Sequence, residues 1–276
     1  MIPFFRKIRK KMADDNRPLK YARYAIGEIV LVVVGILIAL QINTWNEDRK
    51  NRIYEKEYLI RLIEDLDHDQ NDLSSVIISN SINLVLAEDA LKKLGSDTSI
   101  LSQGNASQLA HNAVTIKKKE VIFKDSLLSD HFELENFGQQ LTMITTARIF
   151  DLTQTTITDL ISTGKIEVIR DKTLKKDIQN YYSSSLRQVG NEEDILTPHR
   201  RYLVSVFNDL GIPPRSKLSV SDVHDMIRND QRLAMAIYNI YEANYTLLHI
   251  NYARNKSIFR KIQKIKNEIK VALEKM

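Results

Sequence analysis

The feature that most constrains this chain is one uninterrupted apolar run near its N-terminus, residues 24–45, YAIGEIVLVVVGILIALQINTW. Between Ala25 and Ile42 the strongly polar residues are Glu28 at one end and Gln41 at the other. A helix of about 20 mostly apolar residues crosses a hydrocarbon core of about 30 Å, and a helix satisfies its own backbone donors there. Tyr21 and Tyr24 stand at one boundary and Trp45 at the other, where amphipathic rings favour the headgroup zone. A buried core helix is the alternative, and the length of the run with no charge over residues 29–40 argues against it. A cleaved signal peptide would have an apolar region of about 7–15 residues and a small-x-small site. This run is longer, and Leu40-Gln41-Ile42-Asn43 supplies no such site. The run therefore reads as an uncleaved signal anchor.

Orientation follows from the flanking cations. Arg6, Lys7, Arg9, Lys10, Lys11, Arg17, Lys20 and Arg23 precede the run, and Arg49, Lys50, Arg52, Lys56 and Arg61 follow over a comparable length. The bias places the N-terminus in the cytoplasm and the bulk of the chain outside it. It also redistributes the formal charge of +5. Eight cations against Asp14 and Asp15 put +6 on residues 1–24, which leaves −1 on the remainder. The body thus has no excess positive charge with which to release counterions from a polyanion, and nucleic acid is not an expected partner. The expected partners are the lipid bilayer and an envelope protein, with no cofactor.

Three segments are expected: a basic N-terminal segment, 1–23; the membrane helix, 24–45; and a helical body, 46–276. The opening MIPFFRKIRKKM sets Ile2, Phe4, Phe5 and Ile8 among cations, the pattern of a surface-lying amphipathic helix or of a basic tail. The chain has no Cys, and only 8 Gly and 5 Pro in 276 residues, so turns are few and helices can run long. No Pro or Gly interrupts the chain between Trp45 and Gly95. Along that stretch Leu59, Ile63, Leu66, Gln70, Leu73, Ile77, Asn80, Leu84, Ala87, Leu91 and Leu94 recur at alternating steps of four and three. This is the seam of a coiled coil or of one helix in an intramolecular bundle. A second seam, less apolar because it holds Asn244, Asn251 and Asn255, runs from Ala234 through Ile237, Tyr241, Leu248, Ile258, Ile262, Ile265 and Ile269 to Ala272. The two are expected to be antiparallel partners over about 46–94 and 231–276, with the middle helices capping their far end. The fold class is accordingly all-α, a membrane helix continuing into a long-helix, coiled-coil-like bundle with a smaller irregular middle.

In that middle, 107–116 reads as a short helix and Glu120-Val121-Ile122-Phe123 as a brief strand. Phe132, Phe137, Leu141 and Ile144 suggest another helix. Asp151 or Thr153 opens one that Gly164 stops, and Asp171 caps the next, to about Val189. Asn191 opens a further helix, bent or restarted near Pro198 and ended by Gly211. Ser221 caps a short one.

The anchor, with its continuation GILIALQINTWNEDRK, resembles a domain-of-unknown-function family of N-terminally anchored membrane proteins from Bacteroidetes-type bacteria. The basic FFRKIRKK opening and LISTGKIEVIRDKTLKKDIQNYY, from Leu160 to Tyr182, are similar to that family as well. The resemblance implies a Gram-negative inner membrane with the body in the periplasm, and implies no catalytic residues.

Several residues are candidates for chemistry or contact. Glu28 is ionisable within a span, where such groups are costly, yet it lies about one turn from Tyr24, within reach of water or Arg23. Gly35 and Ala39, four apart, permit close approach of a second helix and, with the seam beyond, suggest a homodimer. Glu64-Asp65-Leu66-Asp67-His68-Asp69 with Asp72 resembles a metal stretch, and Asp65, His68 and Asp72 are the residues a metal would use. Di-iron bundles repeat Glu-x-x-His on partner helices, and nothing around His249 matches, so a solvated acidic face is expected. His68, His111, His131, His199, His224 and His249 share no ligand spacing. Tyr238, Tyr241, Tyr245 and Tyr252 read as a packing stripe, and Arg200-Arg201 as a solvated pair able to hold an anion. No catalytic constellation occurs. Binding or scaffolding of envelope components is the expected role, a sensor or signalling accessory the second, and an enzyme the third.

Overall fold

The computed structural model describes residues 18–101, 136–146 and 148–276, with side chains described from Ala25 onward apart from Ile100 and 249–253. The segments expected at 1–12, 107–116 and 120–123, together with Phe132, His111 and His131, lie outside the described residues, as do the side chains of His249, Asn251 and Tyr252. The described chain is helical, with no strand among the described residues. It divides into two compact units, Met1–Glu57 and Tyr58–Met276.

The first unit carries the beginning of α1, a helix that runs unbroken from Pro18 to Lys93. Its apolar residues from Ile29 to Ile42 face outward on every side of the helix. An 18-residue window there reaches a mean hydropathy of 2.6 with none of it buried. An apolar surface all around one helix suits a hydrocarbon environment and no aqueous one. This helix is long and apolar enough to cross a membrane.

The second unit is a bundle of three long helices: the remainder of α1, α4 (Lys172–Leu210) and α6 (Arg232–Glu274). From Tyr58 onward α1 turns from uniformly apolar to sided. Leu59, Leu62, Leu66, Leu73, Val76, Ile77, Leu84, Ala87 and Leu91 are buried on one stripe. That stripe is wider than a two-stranded seam, because α1 is covered by several of the chain's own elements rather than by one partner helix. Helix α6 runs antiparallel to it. Lys266 Nζ bonds Asp67 Oδ1, and Gln263 Nε2 donates to Gln70 Oε1 at 2.9 Å. Antiparallel pairing of α4 with α6 follows from Gln188 Nε2 donating to Asn255 Oδ1 at 2.6 Å and Lys261 Nζ to Ser184 Oγ at 2.8 Å. The seam residues Ile237, Tyr241, Leu248, Ile258, Ile262, Ile265 and Ile269 of α6 lie in the same core as those of α1.

The middle of the chain does more than cap one end of that pair. Helix α4 runs alongside it as a third long member. A fourth position in the bundle is filled by short pieces in series: α2 (Phe137–Ile144), an irregular connector over 148–154, and α3 (Thr155–Ser162). They pass down the bundle antiparallel to α1, from Gln140 beside Leu86 and Asp89 to Asp159 beside Tyr58 and Arg61. A turn of 3-10 helix, Lys165–Val168, then leads to Asp171, which caps α4 by accepting from the N–H groups of Thr173 and Leu174.

Helix α4 contradicts the expected break near 190–198. It is one helix of 39 residues with Gly190 and Pro198 inside it. An interior Pro costs about 3 kcal/mol. Beyond it, however, Leu203, Val206 and Phe207 continue the buried face begun by Leu174, Ile178 and Tyr181 and carried on by Leu196. Full burial of each such side chain is worth about 1.5–3 kcal/mol, so the tertiary face outweighs the local defect. The helix ends at Gly211, φ 69°. Short α5 (Val220–Ile227) begins two residues earlier than expected. Ser219, rather than Ser221, forms a capping box with Asp222.

Where the loop after α4 returns over α2, Gly138 permits a backbone contact. Its N–H donates to Leu218 O at 3.0 Å, and a Cβ there would stand 2.4 Å from the carbonyl oxygen of Ser216. Gly138→Ala is expected to lower unfolding stability by about 1–3 kcal/mol, because backbone must move to admit the methyl group. Gly190→Ala, whose Cβ meets nothing within 4 Å, should raise it by up to about 1 kcal/mol through helix propensity. Denaturant titration of the two variants checks both signs.

Candidate functional site

The acidic stretch on α1 is a row of hydrogen-bond acceptors for the backbone of the irregular connector and the first turn of α3. The connector 148–154 lies outside any helix, so its N–H groups have no i−4 carbonyl and must find partners elsewhere. Helix α1 supplies them at intervals of its own face. Asp65 Oδ2 accepts from Thr156 N–H at 3.1 Å, Asp69 Oδ1 from Thr153 N–H at 2.8 Å, and Asp72 Oδ2 from Asp151 N–H at 2.9 Å. Further along, Asn80 Oδ1 accepts from Arg148 N–H at 3.2 Å, and from α4 Glu192 Oε2 accepts from Phe150 N–H at 3.3 Å. Asp65 also serves α3, whose N-cap residue Gln154 makes no side-chain capping bond. A carboxylate at that helix N-terminus meets both an orphan donor and the positive end of the dipole.

These placements correct the reading of a solvated acidic face. Asp69 is fully buried and Asp65 and Asp72 are partly so. Asp72 also takes a 2.9 Å ion pair from Arg148 Nη2. His68 is exposed and shares a 2.9 Å hydrogen bond with Thr153 Oγ1. His68 and Asp72 therefore face different atoms of the connector and Asp65 faces the first turn of α3, and among the described residues no group of three His, Asp or Glu side chains is placed to hold a metal ion.

Asp69 is the centre of this arrangement. Its second oxygen accepts from Tyr181 Oη at 2.6 Å, which ties α1, the connector and α4 through one carboxylate. Burial pushes its pKa above the ordinary carboxylate value, against the hydrogen bonds from Tyr181 and Thr153 that favour the ionised form. Burial also pushes the Tyr181 phenol well up, and the Asp69 charge beside it adds to the shift. Tyr182, packed edge-on against Tyr181 at 5.1 Å between ring centroids, is pushed up by burial too.

The other sequence candidates separate. Gly35 and Ala39 lie on the exposed surface of the apolar run, and nothing stands within 4 Å of a Cβ at Gly35. Trp45 is 65% exposed beyond them. Glu28 is half-buried at the start of the run. Arg200 is structural: its Nε donates to Thr145 O at 2.8 Å, and partial burial lowers its pKa. Arg201 is exposed. Tyr241 is buried, stacks on Tyr245 at 6.4 Å, and has its pKa pushed up to about 12 by burial first and nearby carboxylates second.

Sequence reasoning missed a cleft at the end of the bundle where α1 stops. It measures 750 Å³ and is walled by Leu91 and Leu94, by Ile227 and Arg228 after α5, and by Ala234, Met235 and Tyr238 on α6. Met235 is 56% exposed. His224 Nε2 lies 3.1 Å from Lys93 O across the cleft wall. Arg228 adopts φ 48°, ψ −109°, and Asp230 N–H donates to Ile227 O at 2.7 Å. That is the first central position of a type II′ turn, where glycine is the unstrained choice.

Two outcomes follow from this geometry. A folded-state pKa raised above the ordinary value of 3.8 means the native state holds the Asp69 proton more tightly than the unfolded chain does. The stability this group contributes is then present below 3.8 and lost as pH rises through its folded value. Asp69→Asn cannot titrate, so the stability of the native sequence relative to the variant should decline as pH rises from 3.8 through the folded value; urea midpoints that stay level or rise across that interval would contradict it. Arg228→Gly should raise stability by about 1 kcal/mol, because relief of a strained left-handed residue exceeds the entropy that glycine adds to the unfolded chain. Thermal unfolding measures that gain.

Residues 28–96 match the model of a family of unknown function, DUF6090. Searches of curated proteins and of solved structures find no match. The matched stretch takes in α1 from Glu28 through its closing turn, where Gly95 adopts φ 71° and Ser96 N–H returns to Leu91 O. Over that helix the chain is similar to an uncharacterised domain family.

Proposed function

We propose that this chain is a single-pass membrane protein, anchored by residues 24–45 in the inner membrane with its N-terminus cytoplasmic, whose helical body binds or scaffolds other components of the periplasmic envelope. The observation that carries the reading is the uniformly exposed apolar surface from Ile29 to Ile42, which needs lipid around it. The excess of cations before the run supports the orientation. A body whose carboxylate row is spent on its own backbone, together with an open cleft at one end of the bundle, supports binding rather than catalysis. In this reading the chain has no enzymatic activity of its own. The seam on α1 is filled by α4, α6 and the connector, so self-association rests on Gly35 and Ala39 within the span.

A signalling accessory is the second reading. Glu28 favours it as the one ionisable side chain between Ala25 and Asn46, placed where it can meet a cation on another membrane helix.

Membrane fractionation with reporter fusions tests the first reading. The chain should resist alkaline carbonate extraction, and an alkaline phosphatase fused after Met276 should be active while one fused before residue 18 is not. Release by carbonate, or the reverse pattern of activity, refutes it. Affinity purification from detergent-solubilised membranes separates the two roles: a stoichiometric envelope protein supports scaffolding, and a histidine kinase supports signalling. A hydrolytic activity in the purified chain alone would overturn both.

A further inference from the structure

Helices α4 and α6 do not close on one another along their whole length. Between residues 184–191 of α4 and 254–261 of α6 they leave a cleft of 280 Å³. Its wall carries three cations, Arg187 from α4 and Arg254 and Lys261 from α6, and no carboxylate is among the residues that line it. The neutral lining residues include Ser184, Asn191 and Ser257, each able to donate a hydrogen bond.

The treatment of Lys261 differs from that of its neighbours on the same helix. Lys264 pairs with Asp177, and Lys266 with Asp67. Lys261 instead donates to a hydroxyl, Ser184 Oγ, at 2.8 Å. That bond positions the ammonium without neutralising it, and leaves two of its three donors for other groups. The floor is fixed. Gln188 is 4% exposed and its Nε2 is spent on Asn255 Oδ1 at 2.6 Å and Glu192 Oε1 at 2.9 Å. Glu192, 3% exposed behind Gln188, supplies one counter-charge, and its other oxygen accepts from Phe150 N–H. Arg187 and Lys261 thus bring positive charge to the wall of the cleft.

We propose that this cleft binds a small phosphoryl-bearing anion. The guanidinium fork of Arg187 matches the paired oxygens of a phosphoryl group, and the Lys261 ammonium adds a point charge beside it. A lining made of donors selects a ligand made of acceptors. A volume just under the usual ligand range of about 300–1,000 Å³ limits the occupant to a phosphate with a small substituent, either free or presented as a lipid headgroup. This inference is independent of the scaffolding reading and stands whatever the body assembles with.

The test is calorimetric titration of inorganic phosphate into the full chain in a non-ionic detergent. Saturable binding is expected, weakened by about tenfold or more in Arg187→Gln and in Lys261→Gln, as for loss of a charge-assisted hydrogen bond. Arg201→Gln, an exposed cation on α4 outside the cleft lining, should bind as the native chain does, and circular dichroism establishes that each variant is folded. Arg187 is itself exposed, so its replacement is not expected to disturb packing. Repeating the titration with phosphatidic acid in the micelles identifies the source: competition with phosphate marks a headgroup, and unchanged phosphate binding marks a free anion. Absence of saturable binding, or binding indifferent to Arg187 and Lys261, overturns the proposal.

Discussion

One carboxylate holds three elements of the body together. Asp69 receives a backbone N–H from the connector on one oxygen and the Tyr181 hydroxyl on the other. Without such acceptors a stretch of non-helical backbone could not lie between two helices, because each buried and unpaired N–H costs about 1–3 kcal/mol. Helix α1 meets that requirement repeatedly, with Asp65, Asp72 and Asn80 on the same face. The irregular middle of the chain is thereby admitted as the fourth member of a bundle whose other members are long helices. The cost is a desolvated carboxylate, visible in the upward pull on the Asp69 pKa.

Along α1 two environments are written in one helix. Before Glu57 its apolar side chains point in every direction, and after Tyr58 they gather on one stripe while Asp and Glu occupy the rest. The first pattern has no buried face and the second has no exposed apolar one of comparable extent. Helicity is common to both because neither Pro nor a β-branched run opposed by polar demands interrupts the chain. What differs is the solvent each surface implies.

How much of this was legible follows from where the determinants lie. The apolar run and the two seams were readable because burial in a helix imprints a period on residue type. So was the antiparallel partnership of α1 and α6, and so were the caps at Gly95, Asp171 and Gly211. The role of Asp65, Asp69 and Asp72 was not readable. Their partners are backbone N–H groups 79 to 91 positions away, and a backbone donor leaves no signature in residue type. Gly190 and Pro198 are strong local breakers that point to two helices where α4 is one, whereas Leu203, Val206 and Phe207, which overrule them, act through tertiary burial. The cleft between α4 and α6 escaped for a related reason: Arg187 and Lys261 are brought together by packing, and neither stands in a motif.

The pairing of the first long helix with the last has a consequence for how the molecule is made. Asp67 meets Lys266 across 199 positions, and Gln70 meets Gln263 across 193. The part of the α1 stripe that α6 covers therefore emerges early and stays open until nearly the whole chain has been synthesised. Non-local closure of this kind is slow compared with pairing of adjacent helices, and exposed apolar surface invites association in the interval. The last contacts of α1 to form are thus those with α6, and the bundle closes only when its C-terminal helix is complete.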